Sequence, residues 1–386
     1  MRSFVNPAMA ALPPSGIRKF FDLVAQSRGI ISLGVGEPDF TTPWHIRESA
    51  IYALERGRTT YTSNWGMPEL REAISRHLEA WQGLRYNPAD QILVTVGVAE
   101  AIDLTMRAVL EPGDEILIPE PCFVSYVPCA VMAGGKAVTI PLRAEDDFKL
   151  TPELLRQYIT PKTKVLFIGF PANPTGAVMT AAELEAVAQV VREHDLLVIT
   201  DEIYGDLSYG QPHQSIAALP GMKERTVLLN GFSKAYAMTG WRIGYACGPA
   251  EILGLMMKIH QYTIMCPSIM GQIAAMEALK NGAAERDKMV AEYDRRRKLM
   301  YSGFTKMGLP CFEPKGAFYI FPSIAPTGMD DETFALKLLE EEKVAVVPGS
   351  AFGSSGKGHI RCSYATSVAN LTEALKRIGS FVERHS

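Results

Sequence analysis

Short apolar runs and longer amphipathic stretches alternate through the first two-thirds of the chain. The apolar runs fall at 92–96, 115–118, 137–141, 164–170, 196–200, 227–229 and 243–246. Stretches with helical spacing fall among them, at 43–56, 68–81, 97–110, 152–158 and 181–193, and a further helix is predicted to start at Phe123. A strand buried on both faces has no polar face to alternate with, so it reads as an unbroken Val/Ile/Leu run. The pattern therefore predicts an α/β fold, a mostly parallel central sheet covered by helices on both sides. Upstream, 1–14 reads as a polar, Pro-bearing arm. Ile17, Phe20, Phe21 and Val24 share one face of a helix over 17–26, and 30–33 is a short strand. Pro43 suits the first turn of the following helix, with Thr42 as its cap.

After residue 283 the texture changes. A long charged amphipathic helix is predicted over 284–307, and it carries the run Asp294, Arg295, Arg296, Arg297, Lys298. Acids flank that run, so it reads as a solvated helix face bridging domains rather than an anion site. Short strands at 317–321, 344–347 and 359–363 and helices at 331–341 and 371–383 complete a smaller α+β domain. The expected division is a large domain over 46–283 and a discontinuous small one, 1–45 with 284–386. A chain of 386 residues fits two domains at ~150 residues each.

Composition narrows the function classes. A net charge of −3 gives no reason to expect nucleic acid or an anionic membrane as partner. The six cysteines (122, 129, 247, 266, 311, 362) include no C-x-x-C pair and read as free thiols in a reducing cytosol, with no metal site. No apolar run nears the ~20 residues of a membrane span. The N-terminus has prolines where the apolar core of a secretory signal would lie, so a cytoplasmic location is expected.

The candidate chemistry centres on 226–247, TVLLNGFSKAYAMTGWRIGYAC. Here Ser233, Lys234 and Arg242 sit in a small-residue loop between two apolar runs. Burial disfavours an ammonium ion, and a neutral lysine amine is a nucleophile suited to a Schiff base with a phosphate-bearing aldehyde. In a parallel α/β sheet, ligands bind at the C-terminal strand ends. Several residues are predicted to gather there. Gly97, Val98 and Ala99 open a helix whose free N–H groups suit an anion. Asn173 begins an NPTG turn, Asp201 ends the strand at 196–200, and Tyr204 follows three residues on. Alone, each is an ordinary turn, cap or core residue. Together they are what pyridoxal 5'-phosphate requires. The helix start, Ser233 and Arg242 would hold the phosphate, and Asp201 would keep the pyridine nitrogen protonated. Asn173 and Tyr204 would serve the ring oxygen, and Phe123 would stack on the ring.

The sequence resembles the class I/II aminotransferases of pyridoxal-phosphate fold type I. The resemblance is carried by SLGVGEPD at 32–39, NPTG at 173–176, DEIY at 201–204, Ser233-Lys234 with MTGWRIGY at 238–245, GAFYI at 316–320 and RCSYA at 361–365. It implies that Lys234 carries the cofactor and shuttles the substrate proton, with Asp201 and Tyr204 as its catalytic partners. Arg361 would grip the substrate α-carboxylate in a bidentate fork, with Gly36 and Asn173 beside it. Tyr61 would reach the phosphate in a neighbouring subunit, which makes the active form a homodimer. The implied reaction is ping-pong transfer of an amino group from an L-amino acid to a 2-oxo acid such as 2-oxoglutarate. Relatives specialised for dicarboxylic acids carry Lys where this chain has Ala99 and Thr where it has Gly16. The segments at 15–20, 123–126 and 347–352 look like aromatic or broad-range members. Two rival readings use the same scaffold: a cysteine-S-conjugate β-lyase and a non-catalytic regulator.

Overall fold

The computed structural model of the chain describes residues 4–14, 16–17 and 29–385. The helix predicted over 17–26 lies, beyond residue 17, outside the described residues. Strand β1 (Ile31–Ser32) belongs to a small outlying sheet. The next seven strands build the centre: β2 (Ile92–Thr95), β3 (Glu115–Glu120), β4 (Lys136–Pro141), β5 (Thr163–Ile168), β6 (Leu197–Asp201), β7 (Thr226–Gly231) and β8 (Gly244–Cys247). Their spatial order is β2-β8-β7-β6-β5-β3-β4. The pairs from β7 through β4 are parallel, and only β8 runs against its neighbours β2 and β7. The expected α/β architecture is the one observed.

The unbroken apolar runs have a visible cause. Leu117, Leu166 and Val198 pack on one face of the sheet with helices Pro152–Tyr158 and Ala181–Glu193. Their sequence neighbours Ile116, Val165 and Ile199 pack on the other face with helices Gly97–Val109 and Ala250–Thr263. Successive residues point to opposite faces, so both registers must be apolar. Each such side chain removed from water contributes about 1.5–3 kcal/mol.

The remaining strands are short. β9 (Tyr319–Ile320), β11 (Val347–Pro348) and β12 (Ile360–Ser363) form an antiparallel sheet in the order β11-β12-β9. β10 (Val344–Ala345) pairs in parallel with β1, with Ile31 opposite Val344. Helices Asp331–Glu342 and Val368–His385 and the long helix Ala283–Lys306 cover them.

Four local expectations are corrected. Thr42 does not cap its helix, which runs Trp44–Glu55. Its hydroxyl donates to the Ala237 carbonyl at 2.5 Å and accepts from Trp241 Nε1 at 3.0 Å, so a distant loop claims it. Phe123 does not start a helix; it lies in a turn before Tyr126–Met132. The basic run at 294–298 is not wholly a solvated face, because Arg296 and Arg297 are buried. The predicted strand over 344–347 is two strands that belong to different sheets. Helices Ala250–Thr263 and Ile269–Asn281 had no counterpart in the sequence reading. Their starts did carry signals, Glu251 in the first turn of one and Ser268 before the other, but Ser268 makes no side-chain cap in the structure.

Candidate active site

A cavity of about 670 Å³ opens at the C-terminal ends of the parallel strands. The antiparallel course of β8 completes it. That strand begins where its neighbours end, so Arg242, two residues before it, arrives at the same rim as Ser233 and Lys234 after β7. Val98, Ala99, Phe123, Asn173, Asp201, Tyr204, Ser233, Lys234, Arg242, Gly36 and Arg361 all line this one cavity. Gly97 stands directly behind the lining. A Cβ there would lie 2.5 Å from Arg242 Nη2, and its φ of +71° is one that side chains avoid, so both space and conformation call for glycine. Tyr61 is the exception. It is 81% exposed and lines no part of the cavity.

Lys234 is half-buried, and desolvation pushes its amine down to about 8, with Arg361 and Arg242 acting the same way and Glu37 opposing. Its Nζ donates to the Gly36 carbonyl at 2.7 Å. Asp201 is buried at the end of β6, and burial pushes its carboxyl up to about 6. Tyr126 OH donates to Asp201 Oδ2 at 2.8 Å and the Ile203 N–H to Oδ1 at 3.2 Å, and both pull the other way. Tyr204 OH meets Tyr319 OH at 2.7 Å. Arg361 Nη1 donates to Asn173 Oδ1 at 2.9 Å and Nη2 to the Gly34 carbonyl at 2.5 Å, while Nε is buried without a partner. The loop at 34–39 thereby touches both cationic ends of the site, and Glu37 accepts from the Thr239 hydroxyl.

Sequence reasoning gave no role to Tyr126, Tyr319, Glu37 or Thr239, all of which line the cavity. The two tyrosines lie in segments singled out by resemblance, 123–126 and 316–320, but neither phenol was given a task. The available signal was that a buried phenol needs a hydrogen-bond partner, and a tyrosine near a strand end finds one in the site.

The comparisons with known proteins agree with this geometry. The family model for aminotransferase class I and II matches residues 28–378. The chain is 51% identical to the putative aminotransferase YugH of Bacillus subtilis, covering all of both chains. It is 48% identical to the aspartate aminotransferase of Pyrococcus abyssi, covering 95% of each chain. The crystal structure of an aromatic aminotransferase from Pyrococcus horikoshii superposes with a TM-score of 0.91 at 47% identity, over 95% of this chain and 99% of that one. The chain belongs to the class I and II aminotransferases, and it is a pyridoxal-phosphate-dependent aminotransferase of fold type I.

The residues present fit that cofactor. The Arg242 guanidinium stands against the N-terminus of helix Gly97–Val109, and the two positive features together favour an anion. The Ser233 hydroxyl lines the same corner and has no hydrogen-bond partner among the described residues. Asp201 has two neutral donors and no cation in hydrogen-bond contact, which suits a protonated ring nitrogen.

Proposed function

We propose that this aminotransferase acts on aromatic or a broad range of L-amino acids, with a 2-oxo acid such as 2-oxoglutarate as acceptor. The observation that carries the reading is the charge inventory of the cavity. Its lining cations are Lys234, Arg242 and Arg361. Each has a task below, so no lining cation is left among the described residues for the second carboxylate of aspartate. Burying that carboxylate unpaired costs a few kcal/mol. Ile17, Ile102, Phe123 and Val124 supply an apolar wall instead.

The residue roles form part of the proposal. Pyridoxal phosphate, when bound, supplies an electron sink and carries the amino group between the two substrates. Lys234 would hold the cofactor through its amine and would move the proton at the substrate α-carbon. A lysine near 8 suits this, because the neutral amine is present near physiological pH. Asp201 holds the ring nitrogen charged, and Tyr126 holds Asp201 in register. Asn173 and Tyr204 would hydrogen-bond the ring oxygen, and Phe123 would pack on the ring. Gly97, Val98, Ala99, Ser233 and Arg242 cradle the phosphate. Arg361, with Asn173 and Gly36 beside it, takes the α-carboxylate.

The large domain is assigned to 46–283 and the small one to 1–45 with 284–386, supported by the pairing of β1 with β10. The active form is a homodimer to which Tyr61 contributes. Support comes from the exposed Tyr262, Ile264 and Met265, which adjoin the Tyr61 loop through the Asn64 hydrogen bond to the Met265 carbonyl at 2.8 Å. No helix is long and apolar enough to cross a membrane. Six free thiols support a cytoplasmic location.

Steady-state rates across a panel of amino donors with 2-oxoglutarate test the substrate class. Phenylalanine or tyrosine should exceed aspartate in kcat/KM, and a tenfold preference for aspartate would overturn the assignment. Release of pyruvate and ammonia from a cysteine conjugate without acceptor would favour the lyase. Lys234→Ala should abolish turnover, and a near wild-type rate in that variant without added amine would remove Lys234 from its role.

A further inference from the structure

Behind the cavity, on the reverse face of β6, lies a polar cluster that the reaction does not use. Side chains alternate along a strand, so Asp201 faces the cavity while Thr200 and Glu202 face away. Glu202 is 1% exposed. A carboxylate this deep needs several donors. Glu202 has three: the Ser215 hydroxyl at 2.7 Å, the Thr200 hydroxyl at 3.2 Å and His213 Nε2 at 2.9 Å. Two of them come from the segment at 213–215. Gln82 grips that segment from the other side, accepting from the Ser215 N–H and donating to the His213 carbonyl, both at 3.0 Å. Trp81 stacks on the His213 ring with centroids 5.5 Å apart. Its edge fills the place where a Cβ on Gly205 would stand, 2.5 Å away. Gly205 directly follows Tyr204, and its N–H closes the turn onto the Glu202 carbonyl at 2.8 Å.

We propose that Glu202 and His213 are positioning residues for the cofactor, a buttress that holds the turn bearing Asp201 and Tyr204 from behind. Neither lines the cavity. The pair grips the end of β6 directly and, through Trp81, the chain just beyond Tyr204. Both residues on the cofactor side of the turn are thus fixed by contacts on its far side. The pair also sets the local field. The Glu202 charge is among the influences that raise the Asp201 carboxyl, after burial. Asp206 and Arg286, paired at 3.0 Å, share a second cavity with His213 and Trp81, so solvent reaches the buttress without passing through the active site. The inference rests on the assignment of Asp201 and Tyr204 to the cofactor ring.

The test uses holoenzyme and two readouts, the pH midpoint of the bound-cofactor visible absorbance and the kcat–KM split. Removing a negative charge beside a protonated chromophore lowers its midpoint, so Glu202→Gln should shift it down by about half a unit to one unit. It should also lower kcat by roughly tenfold and leave KM for the amino acid within about twofold, because the α-carboxylate grip is untouched. His213→Gln keeps an N–H donor and should restore most of what His213→Ala loses. Trp81→Phe shortens the wedge at Gly205 and should lower kcat a few-fold. A wild-type midpoint and kcat in both Glu202→Gln and Trp81→Phe, whatever the change in Tm, overturns the proposal. If Glu202→Gln does not fold, Trp81→Phe decides on the same criterion. Absence of a visible band from the unmodified protein with pyridoxal phosphate would instead overturn the cofactor-site assignment itself.

Discussion

Two buried guanidinium groups in this protein make opposite use of the same side chain. Arg296, on the long helix, is 6% exposed, and Arg361, on β12, is 2% exposed. Arg296 Nη1 donates to both Asp39 oxygens at 2.8 and 2.9 Å, and its Nε to Glu292 at 2.8 Å. Arg361 touches no carboxylate; it has one amide oxygen, one carbonyl and an unpaired Nε. Burial alone makes a guanidinium less basic, and Arg361 follows that direction. For Arg296 the same burial is outweighed by Asp39 and Glu292. A buried charge with all its partners inside the chain is a structural latch. One left short of an anion is what a transient carboxylate needs, which is the proposed role of Arg361.

The sharpest way to break the comparison is to remove each arginine. Arg361→Ala should cost most. Loss of a desolvated charge partner is worth roughly 3–4 kcal/mol, or two to three powers of ten in kcat/KM. Arg361→Lys should recover little, because the planar fork is lost. Thermal stability should hold or rise, since an underpaired charge leaves the interior. Arg296→Ala should invert the pattern. It strands Asp39, whereas Glu292 keeps Arg295 at 2.9 Å, and because Asp39 is partly solvated the loss should cost about 1–3 kcal/mol of stability in urea unfolding. Its kcat/KM should fall far less than that of Arg361→Ala, through the loop at 34–39 that Asp39 anchors. If Arg361→Ala destabilises more than Arg296→Ala, the distinction between latch and ligand-binding cation fails.

The contrast also marks what the sequence could convey. The central sheet was legible because burial on both faces leaves unbroken apolar runs, and Asp201, Lys234 and Asn173 sit at the ends of those runs. Arg361 was legible only through resemblance, because its strand is four residues long and pairs with partners about 13 and 43 residues away. The burial of Arg296 was not legible at all. Its main partner, Asp39, lies 257 residues away, and neighbouring acids at 292 and 294 made the run look self-neutralised on a solvated face. Thr42 failed for the same reason, with a local cap predicted and a partner 195 residues away preferred. Tyr126 was legible as a ring but not as a donor. Local pattern carries strands and helices, whereas the direction of a polar side chain is decided by tertiary neighbours.

The smallest expected effect tests the support of Asp201. Tyr126→Phe removes the donor 2.8 Å from Asp201 Oδ2 and leaves the ring packing on Phe167, with centroids 4.1 Å apart. In the protein freed of cofactor, burial raises the Asp201 carboxyl from its ordinary 3.8 to about 6. A folded-state value above the unfolded one means that Asp201 contributes stability below pH 3.8 and loses it as pH rises through about 6. The Tyr126 hydrogen bond opposes that rise, so its loss should push the folded value higher and extend the window upward. The two apoproteins should therefore match near pH 4 and separate to about 1–2 kcal/mol above pH 7, the variant being the weaker. Urea unfolding of both at stepped pH measures the difference, in which the other titrating groups cancel. With pyridoxal phosphate bound, the gap should take a second form as weaker cofactor affinity, because the carboxylate proposed to meet the ring nitrogen is less well held. Superimposable curves in both states would mean that Tyr126 packs against Asp201 without supporting its charge.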